Sequence, residues 1–291
     1  MEIALHIGAN CTDDNRLLRS LLKNAESLKK EGVKIPSPRK YRIVLRETVQ
    51  NLAGTLPEEG TRDSLLQSMG AAPSTRRLVL SHPALMCVAN RVFEGGEFYA
   101  LADAKIASLS QLFKNDDLTI YMALRNPATF VPTAFAESKA KTLKDFLHNI
   151  PLENILWAPL LERLRRKAPN AKFVIWCNED TPLIWSNIIR VILDVSATTR
   201  ILGGYDLLAA IMKQDGMSRM SSYLKSSPPK TEIQRRKIMA TFLERYAIEE
   251  ELVQEFDHPE WTQDVIDGLT NMYDQDVAQI EAMDGITFIA P

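Results

Sequence analysis

The sequence of 291 residues has few cysteines and no long apolar run. Its three cysteines, Cys11, Cys87 and Cys177, are odd in number and lack Cys-x-x-Cys spacing, so neither a disulfide framework nor a zinc site is indicated. No apolar stretch approaches the roughly 20 residues that a membrane span needs. The first residues, MEIALHIG, lack the basic and apolar regions of a secretory signal. We therefore expect a cytoplasmic protein without a membrane partner.

The sequence also has no excess of one charge and no common catalytic motif. Its 35 basic and 37 acidic residues give a formal net charge of −2, which provides no global field for nucleic acid. It contains no HExxH helix, EF-hand loop or dinucleotide GxGxxG, and the Ser-His-Asp order of a hydrolase is missing. A metalloenzyme, a dehydrogenase and a protease are thus unsupported, and we expect no metal and no nucleic-acid partner.

Four short apolar runs are present, over residues 3–7, 78–80, 118–124 and 173–176. Continuous apolarity is typical of strands buried on both faces of a parallel sheet. Helical stripes separate these runs, the first being formed by Leu17, Leu18, Leu21 and Leu22. This alternation predicts an α/β fold with a doubly wound, mostly parallel sheet of about four or five strands flanked by helices.

The chain is predicted to be a single α/β domain over residues 1–291, whose part from 203 to 285 is mainly helical. Apolar spacing predicts helices over 205–214, 232–248 and 262–282. The tail, GITFIAP, is read as a last edge strand.

The segment ALHIGANCTDDNRLLRSLLKN, residues 4–24, has the outline of a phosphate-binding loop. A strand runs into Gly8, a polar turn follows and a helix begins, as at many anion sites of α/β proteins. However, no lysine occurs before Lys23, and Asp13 and Asp14 are predicted to lie in the first helical turn. There they stabilise the helix by roughly 0.3–1 kcal/mol each, but a phosphate about 4 Å away is repelled by about 4 kcal/mol. Two alternatives follow: a phosphate site that has lost its cation, or only a capped helix.

Residues 5–38, LHIGANCTDDNRLLRSLLKNAESLKKEGVKIPSP, resemble the opening of bacterial P-loop sulfotransferase-like proteins. Their pattern, HIGxxKTGTT followed by an apolar helix and GhxxP, is matched at His6, Ile7, Gly8, Thr12, Gly32 and Pro36. Cys11 stands at the family's lysine, Asp13 at its glycine, and Asp14 and Asn15 at its hydroxyl residues. The resemblance implies a P-loop-type fold. It also implies a loop for the phosphosulfate end of phosphoadenosine phosphosulfate (PAPS), formed by Gly8, Ala9, Asn10, Cys11, Thr12, Asp13, Asp14 and Asn15.

A second match lies in YMALRNPATFVPTAFAESK, residues 121–139. The family places an arginine at a strand end and a serine eight residues later, and both bind the 3′-phosphate of the cofactor. Arg125 and Thr133 occupy these positions. Independently of the family, Arg125 is followed by Asn126 as a helix N-cap and Pro127 as the first helical residue, which favours an anion. The alternative is that Arg125 pairs with a carboxylate at the sheet edge.

The resemblance also implies a base near a strand end that removes a proton from the acceptor hydroxyl. His82 is the first candidate, and its alternative role is to begin a helix before Pro83. Glu179 is the second candidate, beside Asp180 or Thr181 as a helix cap. We expect His6 to be a core residue.

Cys11 is expected to be an ordinary thiol, because Asp13 and Asp14 disfavour the thiolate.

Two functions follow as expectations. One is a sulfotransferase-like enzyme that moves a sulfuryl group from PAPS, or a changed donor, to a hydroxyl or amine of a small-molecule or glycan acceptor. The other is a binding or scaffold protein that keeps the fold but has lost the donor site. The oligomeric state is left open.

Binding of adenosine 3′,5′-bisphosphate, the desulfated cofactor, separates the two functions. Changing Cys11→Lys, Asp13→Gly and Asp14→Thr together is predicted to raise nucleotide affinity.

Overall fold

The computed structural model describes residues 1–252 and 256–291. Its centre is a parallel sheet of six strands in the order β2-β3-β1-β4-β5-β6. The strands are β1 (Glu2–His6), β2 (Val33–Lys34), β3 (Arg77–Ser81), β4 (Asp117–Leu124), β5 (Lys172–Cys177) and β6 (Ile286–Phe288). The first strand thus lies inside the sheet, between β3 and β4.

Fourteen α-helices surround this sheet in the described residues. The first seven are α1 (Arg16–Leu22), α2 (Ala25–Leu28), α3 (Arg42–Leu52), α4 (Thr61–Ser68), α5 (Ala102–Leu112), α6 (Pro127–Ala136) and α7 (Leu143–Leu147). The others are α8 (Trp157–Lys167), α9 (Thr181–Leu193), α10 (Asp206–Ile211), α11 (Gln214–Ser226), α12 (Glu232–Tyr246), α13 (Glu249–Leu252) and α14 (Gln263–Glu281).

The four strands predicted from continuous apolar runs are confirmed as β1, β3, β4 and β5. All five residues of β3 are buried, and β4 is buried over its last five. The predicted edge strand of the tail is confirmed as β6. The sheet nevertheless has one strand more than the predicted maximum, because β2 pairs with β3 through only two residues. A strand this short has no periodicity from which it can be recognised.

Helices cover both faces of the sheet, which confirms the doubly wound arrangement. On one face α1, α2 and α9 pack around Val79, Tyr121 and Trp176. On the other face α3, α5, α8 and α14 contribute to a larger core around Leu80, Ile120 and Ile175. Strand residues that alternate between the two cores explain why these strands are apolar throughout.

The C-terminal part contains a separate small core. Leu208, Ile211, Met212, Met220 and Met239 join α10, α11 and α12. The helix α11 begins at Gln214, where the sequence predicted that a helix ends. By contrast, α14 returns to the main core and packs against α6 and α8. Across the described residues, no helix is both long enough and apolar enough to cross a membrane.

Candidate functional site

The strand order places the candidate residues at one crevice. From β1 the chain moves toward β2, whereas from β3 and β4 it moves toward the opposite edge. The strand order therefore reverses at β1, and ligands of open parallel sheets bind beyond the carboxyl ends of strands at such a point. Gly8, His82 and Arg125 follow β1, β3 and β4 at this edge.

Gly8 brings the loop after β1 against the loop after β3. Its φ is +115°, and a Cβ atom on it would lie 2.7 Å from the carbonyl oxygen of Pro83. The next amide, that of Ala9, donates to the carbonyl of Ala123 at 3.0 Å and so continues the contact with β4. Only glycine fits this position, because every other residue adds a Cβ. The match at Gly8 therefore has a packing reason of its own.

The loop after Gly8 is hydrogen-bonded internally. Asn10 is 6% exposed, and its amide nitrogen donates to the carbonyl of Cys87 at 3.0 Å. Its side-chain oxygen accepts from the hydroxyl of Tyr99 at 2.7 Å, and the same hydroxyl accepts from the Asn10 backbone. The hydroxyl of Thr12 donates to the carbonyl of Ala9 at 2.8 Å. These polar groups thus bond to the loop itself and to its neighbours Cys87 and Tyr99.

The prediction that Asp13 and Asp14 lie in the first helical turn is wrong. The helix α1 begins at Arg16, and its first turn contains no acidic residue. Asp14 and Asn15 have φ values of 47° and 62°, which belong to the left-handed region and cannot continue a right-handed helix. Asp13 still caps the helix, because its carboxylate accepts from the Leu17 amide at 3.1 Å.

Arg125 joins the loop after β4 to the loop after β1. Its Nη1 donates to the carbonyl oxygen of Cys11, and its Nε donates to the hydroxyl of Thr129 at 3.1 Å. Burial lowers the pKa of the Arg125 guanidinium, while nearby negative groups, including Glu179, oppose that shift. Arg125 is only 9% exposed and is held by protein groups on two sides.

The helix α6 begins as predicted. Asn126 is its N-cap, and the side-chain oxygen accepts from the Ala128 amide at 2.9 Å. Thr133 lies two turns into this helix, where its hydroxyl donates to the carbonyl of Thr129 at 2.7 Å. Arg125 and Thr133 therefore share Thr129 as a neighbour, one through its hydroxyl and the other through its carbonyl.

The thiol of Cys11 is protonated at neutral pH. Burial raises its pKa to about 12, and the carboxylate of Glu137 adds to the shift. This agrees with the ordinary thiol expected from the sequence, but the main cause differs. Burial dominates, and Asp14 is the smallest of the causes that act on this group.

His82 follows β3 in a turn and does not begin a helix, so that alternative is wrong. Its carbonyl accepts from the Leu85 amide at 2.9 Å, which closes the turn. The residue is 7% exposed, and its Nδ1 is buried without a hydrogen-bond partner within residues 1–252 and 256–291. Burial lowers the pKa of His82 to about 4, and Arg42, Arg46 and Lys105 lower it further. The imidazole is therefore neutral at neutral pH.

Glu179 connects three elements at the end of β5. One carboxylate oxygen accepts from the backbone amide of Asn126 at 2.9 Å, and the other accepts from the hydroxyl of Tyr273 at 3.0 Å. Asp180 occupies the N-cap position of α9 but its side chain makes no capping hydrogen bond, and Thr181 is the first helical residue. Both oxygens of Glu179 thus have structural partners.

His6 lies in the core, as predicted. It is fully buried, its Nδ1 is 3.0 Å from the hydroxyl of Ser81, and its ring stacks on Trp176. Burial lowers the pKa of His6.

Sequence reasoning missed the contribution of α14 to this edge. Thr270 accepts from the side-chain amide of Asn126 at 3.0 Å, and Tyr273 contacts Glu179. Asp276 is 5% exposed and accepts from the amides of Trp157 and Ala158 at 2.6 and 3.0 Å, which caps α8 from a distant helix. The available signal was Asp276 itself, a charged residue on the apolar stripe of Leu269, Tyr273 and Ile280.

Comparison of the chain with protein-family models, with curated proteins and with solved structures finds no match. In the part of the chain that the structure describes, no group of three or more His, Cys, Asp or Glu side chains is arranged to hold a metal ion.

Proposed function

We propose that this chain has a P-loop-type fold of the sulfotransferase-like kind and acts as a binding protein rather than as a transferase. The observation that carries this proposal is the hydrogen bond from the Arg125 guanidinium to the Cys11 carbonyl. Arg125 matches an arginine that binds the cofactor in the family the chain resembles. Here it is bonded to the loop in which the cofactor would lie.

Residues 8–15 are here called the donor loop, and the loop is called closed when its own groups occupy the positions that a phosphosulfate would need. Two further contacts support a closed donor loop. The Leu17 amide, one of the first in α1, is bonded to the Asp13 carboxylate, and the Arg16 amide is bonded to the Asp13 carbonyl at 2.7 Å. An incoming phosphosulfate would have to displace the carboxylate and overcome its charge. Since the loop supplies no lysine, the loss of one charge-assisted hydrogen bond alone removes roughly 1.5–3 kcal/mol of binding.

The second candidate function is the transferase itself. It is favoured by the placement of Arg125 just before α6 and of Thr133 within α6, the two positions at which the resemblance puts contacts to the 3′-phosphate of PAPS. It is also favoured by His82, whose Nδ1 lacks a partner within the described chain at the end of β3. In that function His82 would take the proton of a small-molecule or glycan hydroxyl, although a pKa of about 4 makes it a weak base.

Calorimetry with adenosine 3′,5′-bisphosphate separates the two functions. For a closed loop we expect no nucleotide binding that depends on Arg125 and no sulfuryl transfer from PAPS. Binding tighter than about 100 μM, or about −5.5 kcal/mol, that disappears in Arg125→Ala would instead establish the donor site and overturn the binding-protein proposal.

A variant designed to gain nucleotide binding tests why the donor loop is closed. The structure favours Cys11→Lys, Asp13→Gly and Asp14→Gly, because Asp14 has a φ of 47° at which the β-branched threonine is strained. We expect this variant to bind the nucleotide at least about tenfold more tightly than the natural chain, since it regains a charge-assisted hydrogen bond and loses the repulsion. The matched control, Cys11→Ala with Asp13→Asn and Asp14→Asn, removes the charges without adding a cation or glycines. If the natural chain transfers sulfate from PAPS and the glycine variant gains nothing, the loop is not closed in the proposed sense.

A further inference from the structure

Arg42 and Lys105 contact the segment that follows β3, and a third cation, Arg46, lies near them on α3. Arg42 donates from Nε to the carbonyl of Ser81 at 2.8 Å and from Nη2 to the side-chain oxygen of Asn15 at 2.7 Å. Lys105, on α5, donates to the carbonyl of Leu85 at 2.9 Å. Arg46 lies one turn after Arg42 on α3 and so extends from the same side of that helix. Two different helices therefore direct cations to one short turn.

In the described part of the chain, these three cations have no carboxylate within ion-pair distance. Within residues 1–252 and 256–291, none of Arg42, Arg46 and Lys105 forms an ion pair, and the contacts of Arg42 and Lys105 are to neutral oxygens. Other basic residues on this side of the sheet do have acidic partners. Arg91 pairs with Glu94, and Arg163 pairs with Glu97 and Asp103.

The side chain of His82 lies within electrostatic range of all three cations, because each of them lowers its pKa after the larger effect of burial. The positive charges of Arg91 and Arg46 lower the pKa of the half-buried Lys105, after desolvation and against the opposing effect of Cys87. Lys105 thus lies near other positive charges, and the buried Nδ1 of His82 lacks a partner in the described chain. An anion held here would relieve the repulsion.

We propose that Arg42, Arg46 and Lys105, around His82, form a binding site for a small ligand that carries a sulfate or phosphate group. The guanidinium fork of arginine matches the oxygens of such a group in two parallel hydrogen bonds, and lysine adds a point charge. The site lies at the carboxyl edge of the sheet beside the reversal of strand order, where ligands of this architecture bind. Three cations from two helices around one turn suit a single oxyanion rather than a polyanion.

This inference rests on the proposed function, since it names the ligand that the binding protein takes, but it uses none of the donor-loop residues. Nucleotide titration reports on the loop after β1, whereas oxyanion titration reports on the turn after β3. Nucleotide binding that Arg125→Ala abolishes and Arg46→Gln leaves unchanged would overturn the proposed function alone. A chain that binds neither nucleotide nor oxyanion would overturn this site alone.

The probes are inorganic sulfate, inorganic phosphate, glucose 6-sulfate and glucose 6-phosphate, titrated calorimetrically into the full chain at constant ionic strength. We expect saturable binding of at least one probe, and the preference between the sulfate and phosphate pairs identifies the group. Arg46→Gln and Lys105→Gln should each weaken that binding by about tenfold, the effect of one lost charge-assisted hydrogen bond. Arg46→Lys keeps the charge and should retain more affinity than Arg46→Gln.

The matched controls are Arg166→Gln and Lys167→Gln. These side chains are exposed at the end of α8, just before β5 begins, and so lie at the opposite edge of the sheet. They remove the same charge from the chain and should leave the affinity within about twofold of the natural value, because distant exposed charges are screened. The absence of saturable binding for all four probes overturns the proposal. Equal weakening by the control variants and by the Arg46 and Lys105 variants overturns it as well.

Discussion

The guanidinium of Arg125 donates a hydrogen bond to the backbone carbonyl of Cys11, across a separation of 114 residues in the sequence. The bond joins the loops that follow two adjacent central strands, β1 and β4. Because Arg125 is only 9% exposed, its guanidinium has little access to water, and the Cys11 carbonyl takes the place of a water molecule as the acceptor. Arg125, which matches a cofactor-binding arginine, therefore helps to hold the loop after β1 in place.

Replacing this arginine should destabilise the protein in the absence of any ligand. For Arg125→Gln we expect the free energy of unfolding to fall by about 1.5–3 kcal/mol, because buried hydrogen bonds from a charged group are lost. Urea denaturation measures this change. The control is Arg19→Gln, an exposed arginine that donates to the Asp14 carbonyl at 3.1 Å and should change stability by no more than about 0.5 kcal/mol. Similar losses in both variants would contradict the role assigned to Arg125.

The close approach of the loops after β1 and β3 should make Gly8 irreplaceable. An added Cβ would lie 2.7 Å from the Pro83 carbonyl, whereas at Gly60, with φ +80°, nothing lies within 4 Å. Both positions carry the backbone cost of a positive φ, about 1–2 kcal/mol for alanine. Gly8→Ala should cost about 1–3 kcal/mol more than Gly60→Ala, since the clash is added. Equal midpoints of thermal unfolding for the two variants would exclude the close approach.

Asp276 should matter more to stability than its place on a C-terminal helix implies. For Asp276→Ala we expect a loss of about 2–4 kcal/mol, because the amides of Trp157 and Ala158 are left buried without an acceptor. Asp274→Ala, an exposed position on the same helix, provides the control and should stay within about 0.5 kcal/mol of the natural chain. Urea denaturation with a circular-dichroism readout compares them. A loss at Asp276 no larger than at Asp274 would show that α8 does not depend on this cap.

The low pKa of His82 should make the protein sensitive to acid. The folded value is about 4, and an unfolded histidine titrates near 6.5. The unfolded chain therefore binds a proton that the folded chain does not, and stability is lost as the pH falls from about 6.5 through 4. Between pH 7 and pH 5 this imidazole alone accounts for about 2 kcal/mol.

We expect His82→Gln to lose about 2 kcal/mol less stability over this interval than the natural chain. Burial also lowers the pKa of His6, but that effect is common to both proteins and cancels. Urea denaturation at pH 7, 6 and 5 measures the difference. If the free energy of unfolding has the same pH dependence in His82→Gln and in the natural chain, His82 is not buried in its neutral form.

The sequence predicted the four strands that are buried on both faces and the edge strand β6, and it missed the two-residue strand β2. β1, β3, β4 and β5 are continuous apolar runs because each side chain meets a helix layer on one face or the other. β2 has only two residues, at the edge of the sheet. Its position is defined by its pairing with β3, which exists only in the folded chain. In the same way, the cap of α6 at Asn126 was readable from adjacent residues, whereas the cap of α8 comes from Asp276 on α14.

The candidate site divides along the same line. The sequence by itself determined the alternation of strands and helices, the polar turn after Gly8 and the lack of a cation in the loop after β1, because each depends on residue type and local spacing. Only the tertiary structure decided that Arg125 bonds to Cys11, that Glu179 is held between Asn126 and Tyr273, and that Arg42 and Lys105 meet at one turn. These contacts join residues on different elements. Their existence depends on strand order and on the crossing of helices over the sheet, which no local pattern specifies.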